Sequence, residues 1–342
     1  MAKNRAKQIF RIVLLISTAI SLYFVPWTIV FAYLKPLPDT VQEQVTEALD
    51  HGFDGIIVYV DQADQPSQLY AAGYKNREKK IPADPNALFK IASINKLYTA
   101  LAITKLVHDE QLSLEKTVGD YFPELVDRIE YADKITVRML IEHRSGIPNY
   151  TDTYMYWADP KETYEENLAL ILDQPAMFEP GEDYQYCNTN YMLLGELMNK
   201  TLGYDHFEFI RQEILIPNGL NNTFGSNSEV NMDDVMSGYY VGYEADLKTQ
   251  NLGMLATAED VGKFLHGLND GSIFEDGEQA IYSSIYRYEH TGLVPGYQSI
   301  AKYHEDIDTV VIQFTNTTDF EGYNWNLSEI VYNRIVKILR NK

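Results

Sequence analysis

The feature that most constrains this chain is a run without a single charge, from Ile12 to Leu34. Its 23 residues are mostly apolar and long enough to cross roughly 30 Å of hydrocarbon with some tilt. Pro26 lies inside the run, and helices in lipid tolerate that. Tyr33 and Trp27 sit in its second half, where interfacial aromatic residues gather. Lys3, Arg5, Lys7 and Arg11 precede it, and no acidic residue does. This asymmetry predicts a basic segment at 1–11 on the cytoplasmic side and one transmembrane helix at 12–34. A linker at 35–40 and a domain at 41–342 would follow on the outside of a cell membrane. The rival reading is a cleaved signal peptide. Its apolar region is usually shorter and ends in small residues, whereas this run leaves through Ala32, Tyr33, Leu34, Lys35 and Pro36.

Everything after that run is acidic. The whole chain has a net charge of −21, and without the four leading cations 24 basic groups face 49 acidic ones. Such a surface argues against nucleic acid as a partner and, weakly, for neutral or cationic substrates; solubility alone is an equal explanation. Cys187 is the one cysteine, so no intrachain disulfide forms. The histidines are scattered singly, with no HExxH or CxxC pair, and neither a metal nor a cofactor is expected.

The domain reads as strands and helices at both ends around a helical middle. Helix signals cover Thr40–Leu49, Ser93–His108 and Asn326–Leu339. Strand signals cover Gly55–Val60, Gln68–Ala72, Ser284–Tyr288, Ser299–Tyr303 and Thr309–Phe314. Leu168–Leu172 and Met192–Met198 are helical, as is most of 109–245. The expectation is an α+β fold: one antiparallel sheet built from about 41–108 and 246–342, flanked by terminal helices. The helical lobe at about 109–245 is inserted, leaving a cleft between the lobes.

Three short patterns carry chemistry. Ser93 and Lys96 stand three apart on one helical face, where a lysine of lowered pKa can deprotonate a serine hydroxyl. The same pattern recurs at Ser113 and Lys116, within a polar linker, and reads there as a helix N-cap. Tyr186 and Asn188 lie where a Pro180-Gly181 turn and a polar loop lead into an apolar helix; tyrosine relays protons and asparagine bonds amides. Tyr74 and Asn76 repeat that spacing on a turn. His290, Thr291 and Gly292 leave a strand, and a glycine on an edge strand lets a ligand backbone approach.

In this order the three patterns resemble the serine β-lactamase and penicillin-binding-protein superfamily, nearest its class C β-lactamase and DD-carboxypeptidase branch with their esterase relatives. Ile135–Pro148 and Thr257–Asp260, the latter with capping-box spacing, are similar to framework segments of that family. The resemblance runs from about residue 55 to the C-terminus. It implies a β-lactamase/transpeptidase-like fold and a hydrolase that forms an acyl-enzyme on Ser93. Lys96 and Tyr186 would share the base and acid roles, and Asn188 would hold the substrate amide. The amides of Ser93 and Leu293 would form an oxyanion hole, and His290, Thr291 and Gly292 would bind around the substrate carboxylate. The implied substrate is a small molecule or a D-alanyl group of the cell envelope.

Two positions depart from the family pattern. Cys187 replaces a serine and reads as a packed side chain, with a reactive thiol as the alternative. His290 replaces a lysine and removes a fixed positive charge, which favours peptidases and esterases over a dedicated β-lactamase. His143, near Ser145, reads as framework, since no Gly-x-Ser-x-Gly elbow accompanies it.

Overall fold

A computed structural model of the chain describes residues 2–63 and 65–341. Met1, Asp64 and Lys342 lie outside the described residues, as do the side chains of Ala2, Lys3, Asn4 and Ala6.

The apolar run does not form the expected single helix. Helix α1 spans Ala2–Tyr23 and helix α2 spans Trp27–Leu34, with an angle of 75° between their axes. Pro26 has no N–H to continue the ladder, and its ring excludes the helical turn before it. No single described helix is long and apolar enough to cross a membrane; the bent pair passes that test only when taken together. After the linker, Thr40 caps α3 (Val41–Glu47) through a reciprocal bond pair with Glu43.

The strands are β1 (Gly55–Gln62), β2 (Gln68–Asn76), β3 (Ile81–Pro82), β4 (Phe89–Lys90), β5 (Thr223–Phe224) and β6 (Tyr239–Tyr240). They continue with β7 (Leu255–Ala256), β8 (His290–Val294), β9 (Tyr297–His304), β10 (Thr309–Thr315) and β11 (Thr317–Thr318). The main sheet has the order β3-β2-β1-β10-β9-β8 and is antiparallel throughout. Both ends of the chain therefore meet at its centre, where Ile57 pairs with Phe314 and Tyr59 with Ile312. Two small sheets, β4-β7-β5 and β11-β6, accompany it.

Both faces of β1 are covered, so its residues 55–60 are buried without alternation. Ile56, Val58 and Val60 face α3 and the C-terminal helix Asn324–Arg340, where Val45, Val331 and Ile335 pack against them. Ile57 and Tyr59 face the larger core with Phe89, Tyr98, Phe264 and Phe314. Gly262 is required in the helix Ala258–Asp270, because a β-carbon there would lie 2.1 Å from the Tyr59 ring.

Ser284–Tyr288 is not a strand. Glu278–Ile285 is helical, with Glu278, Tyr282 and Ile285 buried on one side, and the edge strand β8 begins only at His290. The apparent alternation around Tyr286 and Tyr288 comes from aromatic packing: Tyr282 meets Tyr288 edge-on at 5.2 Å, and Tyr286 stacks on His290 at 6.1 Å. Ser113 caps no helix. Its Oγ accepts a bond from the Glu115 amide in a turn, and Thr117 caps the next helix instead. Thr257 accepts a bond from the Asp260 amide, but the Asp260 carboxylate turns to Asn222 and Thr223, so only half of the expected box forms.

Candidate active site

Ser93 follows a strained step. Ala92, a non-glycine residue, holds φ at 50°, in the left-handed region that L residues seldom adopt. The single 3₁₀ turn Ala92–Ile94 then runs directly into helix α4 (Asn95–His108). Ser93 is thus half-buried at a helix start, while Lys96, one turn on, is 4 % exposed.

Lys96 Nζ lies 3.2 Å from Ser93 Oγ and 2.9 Å from Asn188 Oδ1. It also sits over the Tyr186 and Tyr191 rings, at 5.0 and 5.1 Å. Burial away from any carboxylate lowers its pKa to about 7. Tyr186 donates from its hydroxyl to Ser93 Oγ at 2.6 Å, and burial pushes its pKa up to about 12. One hydroxyl oxygen therefore touches both an amine that is half deprotonated near neutrality and a phenol that keeps its proton.

The loop holding Tyr186 is templated by 143–151. His143 Nδ1 accepts from the Cys187 amide at 3.1 Å, and its carbonyl accepts from the Gln185 amide at 3.0 Å. Asn149 Oδ1 accepts from the Asn188 amide, and Thr151 Oγ1 from Asn188 Nδ2, each at 3.0 Å. Ser145 Oγ donates to Asn190 Oδ1 at 2.7 Å. Each end of the Asn188 amide thus has one side-chain partner, Lys96 at Oδ1 and Thr151 at Nδ2. Residue spacing does not single out Asn149, Thr151 and Tyr191; only His143 stands out, through its neighbour Ser145. Cys187 is 2 % exposed, hydrogen-bonds to the Ile147 carbonyl, and has its thiol pKa raised by burial. That is a packed side chain, not an activated thiolate.

The third pattern lies on β8 itself, at the open edge of the sheet. Gly292 pairs with Ser299, and a β-carbon on it would come within 2.5 Å of the Ile91 carbonyl and 3.0 Å of Ala92 Cβ. Glycine is what lets β8 press against the turn carrying Ser93. Thr291 is half-buried and Leu293 is exposed at the rim. His290 is buried, its ring centroid 6.4 Å from that of Tyr186, and its Nδ1 bonds the Thr291 carbonyl. Burial lowers its pKa to about 3, so it carries no charge at neutral pH. The structure thus brings Ser93, Lys96, Tyr186 and Asn188 into direct contact and sets His290, Thr291, Gly292 and Leu293 along one side.

Residues 37–327 match the Beta-lactamase family. The chain belongs to that family. Among its relatives, a penicillin-binding protein of Bacillus subtilis is 26 % identical over 304 residues, covering 86 % of this chain and 63 % of the relative. Protein flp of Staphylococcus aureus is 28 % identical over 176 residues, covering 50 % of this chain and 34 % of the relative. The chain thus spans less than two thirds of either relative. In fold it matches D-amino acid amidase from Ochrobactrum anthropi SV3, bound to D-phenylalanine, with a TM-score of 0.78 at 22 % identity. That match covers 88 % of this chain and 98 % of the amidase. The fold class expected from both chain ends, an antiparallel sheet with flanking helices, is therefore that of the β-lactamase/transpeptidase-like family.

Proposed function

We propose that this Beta-lactamase-family chain is a serine hydrolase that forms an acyl-enzyme on Ser93, acting on D-alanyl ester or peptide groups of the cell envelope. The observation that carries this reading is the pair of contacts at Ser93 Oγ, Lys96 Nζ at 3.2 Å and Tyr186 hydroxyl at 2.6 Å, with Lys96 poised near pH 7. Neutral Lys96 takes the Ser93 proton as Oγ attacks the carbonyl carbon. The oxyanion rests on the amides of Ser93 and Leu293. Tyr186, still protonated, hands a proton to the leaving oxygen or nitrogen, and Lys96 restores it. Water then attacks the acyl carbon and loses a proton to neutral Lys96; the acyl–Oγ bond breaks as Tyr186 protonates Ser93 Oγ and Lys96 restores the Tyr186 proton, releasing the acid.

Within that reading, the neutral His290 disfavours substrates that need a cation for a carboxylate. The amidase of like fold is named for D-amino acid amides, which lack that carboxylate. This supports D-aminoacyl esters and amides ahead of penicillins. A general esterase or class C-like β-lactamase would use the same groups. A binding protein without turnover would not need a lysine poised near neutrality. The uncharged run and the basic residues before it support attachment to the cell membrane, with the N-terminus cytoplasmic and the domain outside.

The test takes the full chain in detergent, beside Ser93→Ala, with a fluorescent penicillin, a D-Ala-D-Ala peptide, a D-alanyl ester and a p-nitrophenyl ester, read by intact mass and turnover. Ester turnover lost in Ser93→Ala is expected. Turnover that survives the substitution would sink the assignment of the nucleophile, and ligand binding with no turnover at all would make the protein a binder.

A further inference from the structure

Helix α2 carries no charge, yet the domain covers only one side of it. Ala32 is 3 % exposed and joins the core beneath the C-terminal helix, with Ile29 packed beside it. Trp27, Phe31 and Leu34, on the opposite face at i, i+4 and i+7, are 42, 65 and 71 % exposed, and Tyr33, one turn after Ile29 at the helix end, is 76 % exposed. Tyr23 and Phe24, just upstream, continue this apolar surface.

The end of α2 is fixed rather than free. Arg334, on the C-terminal helix, is buried and spreads its guanidinium over the exit peptide. Nη1 donates to the Lys35 carbonyl at 2.6 Å, Nη2 to the Pro36 carbonyl at 2.7 Å, and Nε to Gln44 Oε1 at 2.6 Å. Lys35 Nζ is held between Glu47 at 3.2 Å and Asp50 at 3.1 Å. A planar fork with three partners does not let the chain swing at this point.

We propose that α2 is a bracket at the membrane interface: its inner face belongs to the catalytic domain, and its outer face lies among the headgroups and upper acyl chains. This deepens the proposed membrane attachment and rests on it. The occupant is lipid because the uncharged run continues from α1 into α2, the two meeting at 75°, and the bent pair together has the length and composition of a span that neither helix has alone. Trp27 and Tyr33 present the amphipathic rings that headgroup regions favour. The domain is thereby held at one orientation to the envelope instead of roaming on a tether.

The test uses the full chain in phosphatidylethanolamine–phosphatidylglycerol vesicles, isolated by flotation. Single cysteines at Trp27, Ile29, Phe31 or Leu34 carry an environment-sensitive dye; Cys187 is too buried to compete for label. Lipids spin-labelled at the headgroup or deep in the acyl chain serve as quenchers. The bracket predicts equal, shallow quenching at Trp27, Phe31 and Leu34, and none at Ile29. A straightened spanning helix would instead place Trp27 about 10 Å deeper than Leu34 and expose Ile29 to lipid, overturning the bracket while keeping the anchor. Dyes that are all wet on floating protein, or dry but unquenched by either lipid, overturn it in favour of a tether or a protein partner. Protein that does not float at all removes membrane attachment itself.

Discussion

In the proposed mechanism Lys96 is the residue on which the chemistry turns, and its protonation gives the first prediction. With a pKa of about 7, it is cationic below that pH and a free base above it. kcat/KM is therefore expected to rise with pH through about 7 and level off, while Tyr186, near 12, contributes no limb at neutral pH. Lys96→Met should remove that limb and lower kcat by roughly 10²–10⁴; a profile that keeps its limb near 7 in this variant would assign it to another group. At His290 the missing charge can be put back. His290→Lys is expected to lower KM for an anionic penicillin about tenfold, the scale of one charge-assisted hydrogen bond, with little change for a neutral ester. Equal effects on both substrates would mean that β8 moved instead. Ser93, Lys96 and Tyr186 are legible in the sequence because each needs a particular functional group at a particular spacing. Asn149 and Thr151 are not, since any polar side chain in a loop could meet Asn188, and only the folded path of 143–151 selects these two.

At the scale of elements, α4 is held from behind by a buried ion pair. Lys105, 6 % exposed, contacts both carboxylate oxygens of Glu278, 2 % exposed, at 3.0 and 3.1 Å, joining α4 to the Glu278–Ile285 helix. Removing Glu278 leaves Lys105 buried with only the exposed Glu275, 3.8 Å away, as a counter-charge, at a cost of up to about 3–5 kcal/mol. Glu278→Ala should lower the unfolding free energy by that order. Lys105→Met combined with Glu278→Leu should recover much of the loss, which denaturant unfolding of the three variants would show. A double variant as unstable as the single one would mean that the helix contact depends on more than the charges. This element also shows why its type is hard to read. The buried positions of Glu278–Ile285 include a glutamate that looks like a surface residue in sequence, while the tyrosines after it alternate like a strand. Thr40 marks a clean helix start because capping is local chemistry. A proline inside an apolar run is compatible with a straight span or a bent one, and the docking of Ala32 on the C-terminal helix, far away in sequence, is what favours the bend.

Across the whole molecule, 49 acidic groups against 28 basic ones set a field that the neutral His290 does nothing to offset. Association with charged substrates should then depend on ionic strength, and in opposite directions for opposite charges. A D-alanyl ester carries a free ammonium and is drawn in; a penicillin carries a carboxylate and is repelled. Raising salt from about 10 mM to about 150 mM shortens the screening length from roughly 30 to 8 Å, and so removes most of either effect. kcat/KM for the cationic ester should fall several-fold over that range. The second-order rate of acylation by the penicillin should rise, and a neutral p-nitrophenyl ester should be unmoved. If the anionic substrate were instead slowed by salt, the cleft would hold a local cation strong enough to reverse the sign of the surrounding surface. The preference argued from His290 would then have to give way to one set by that cation.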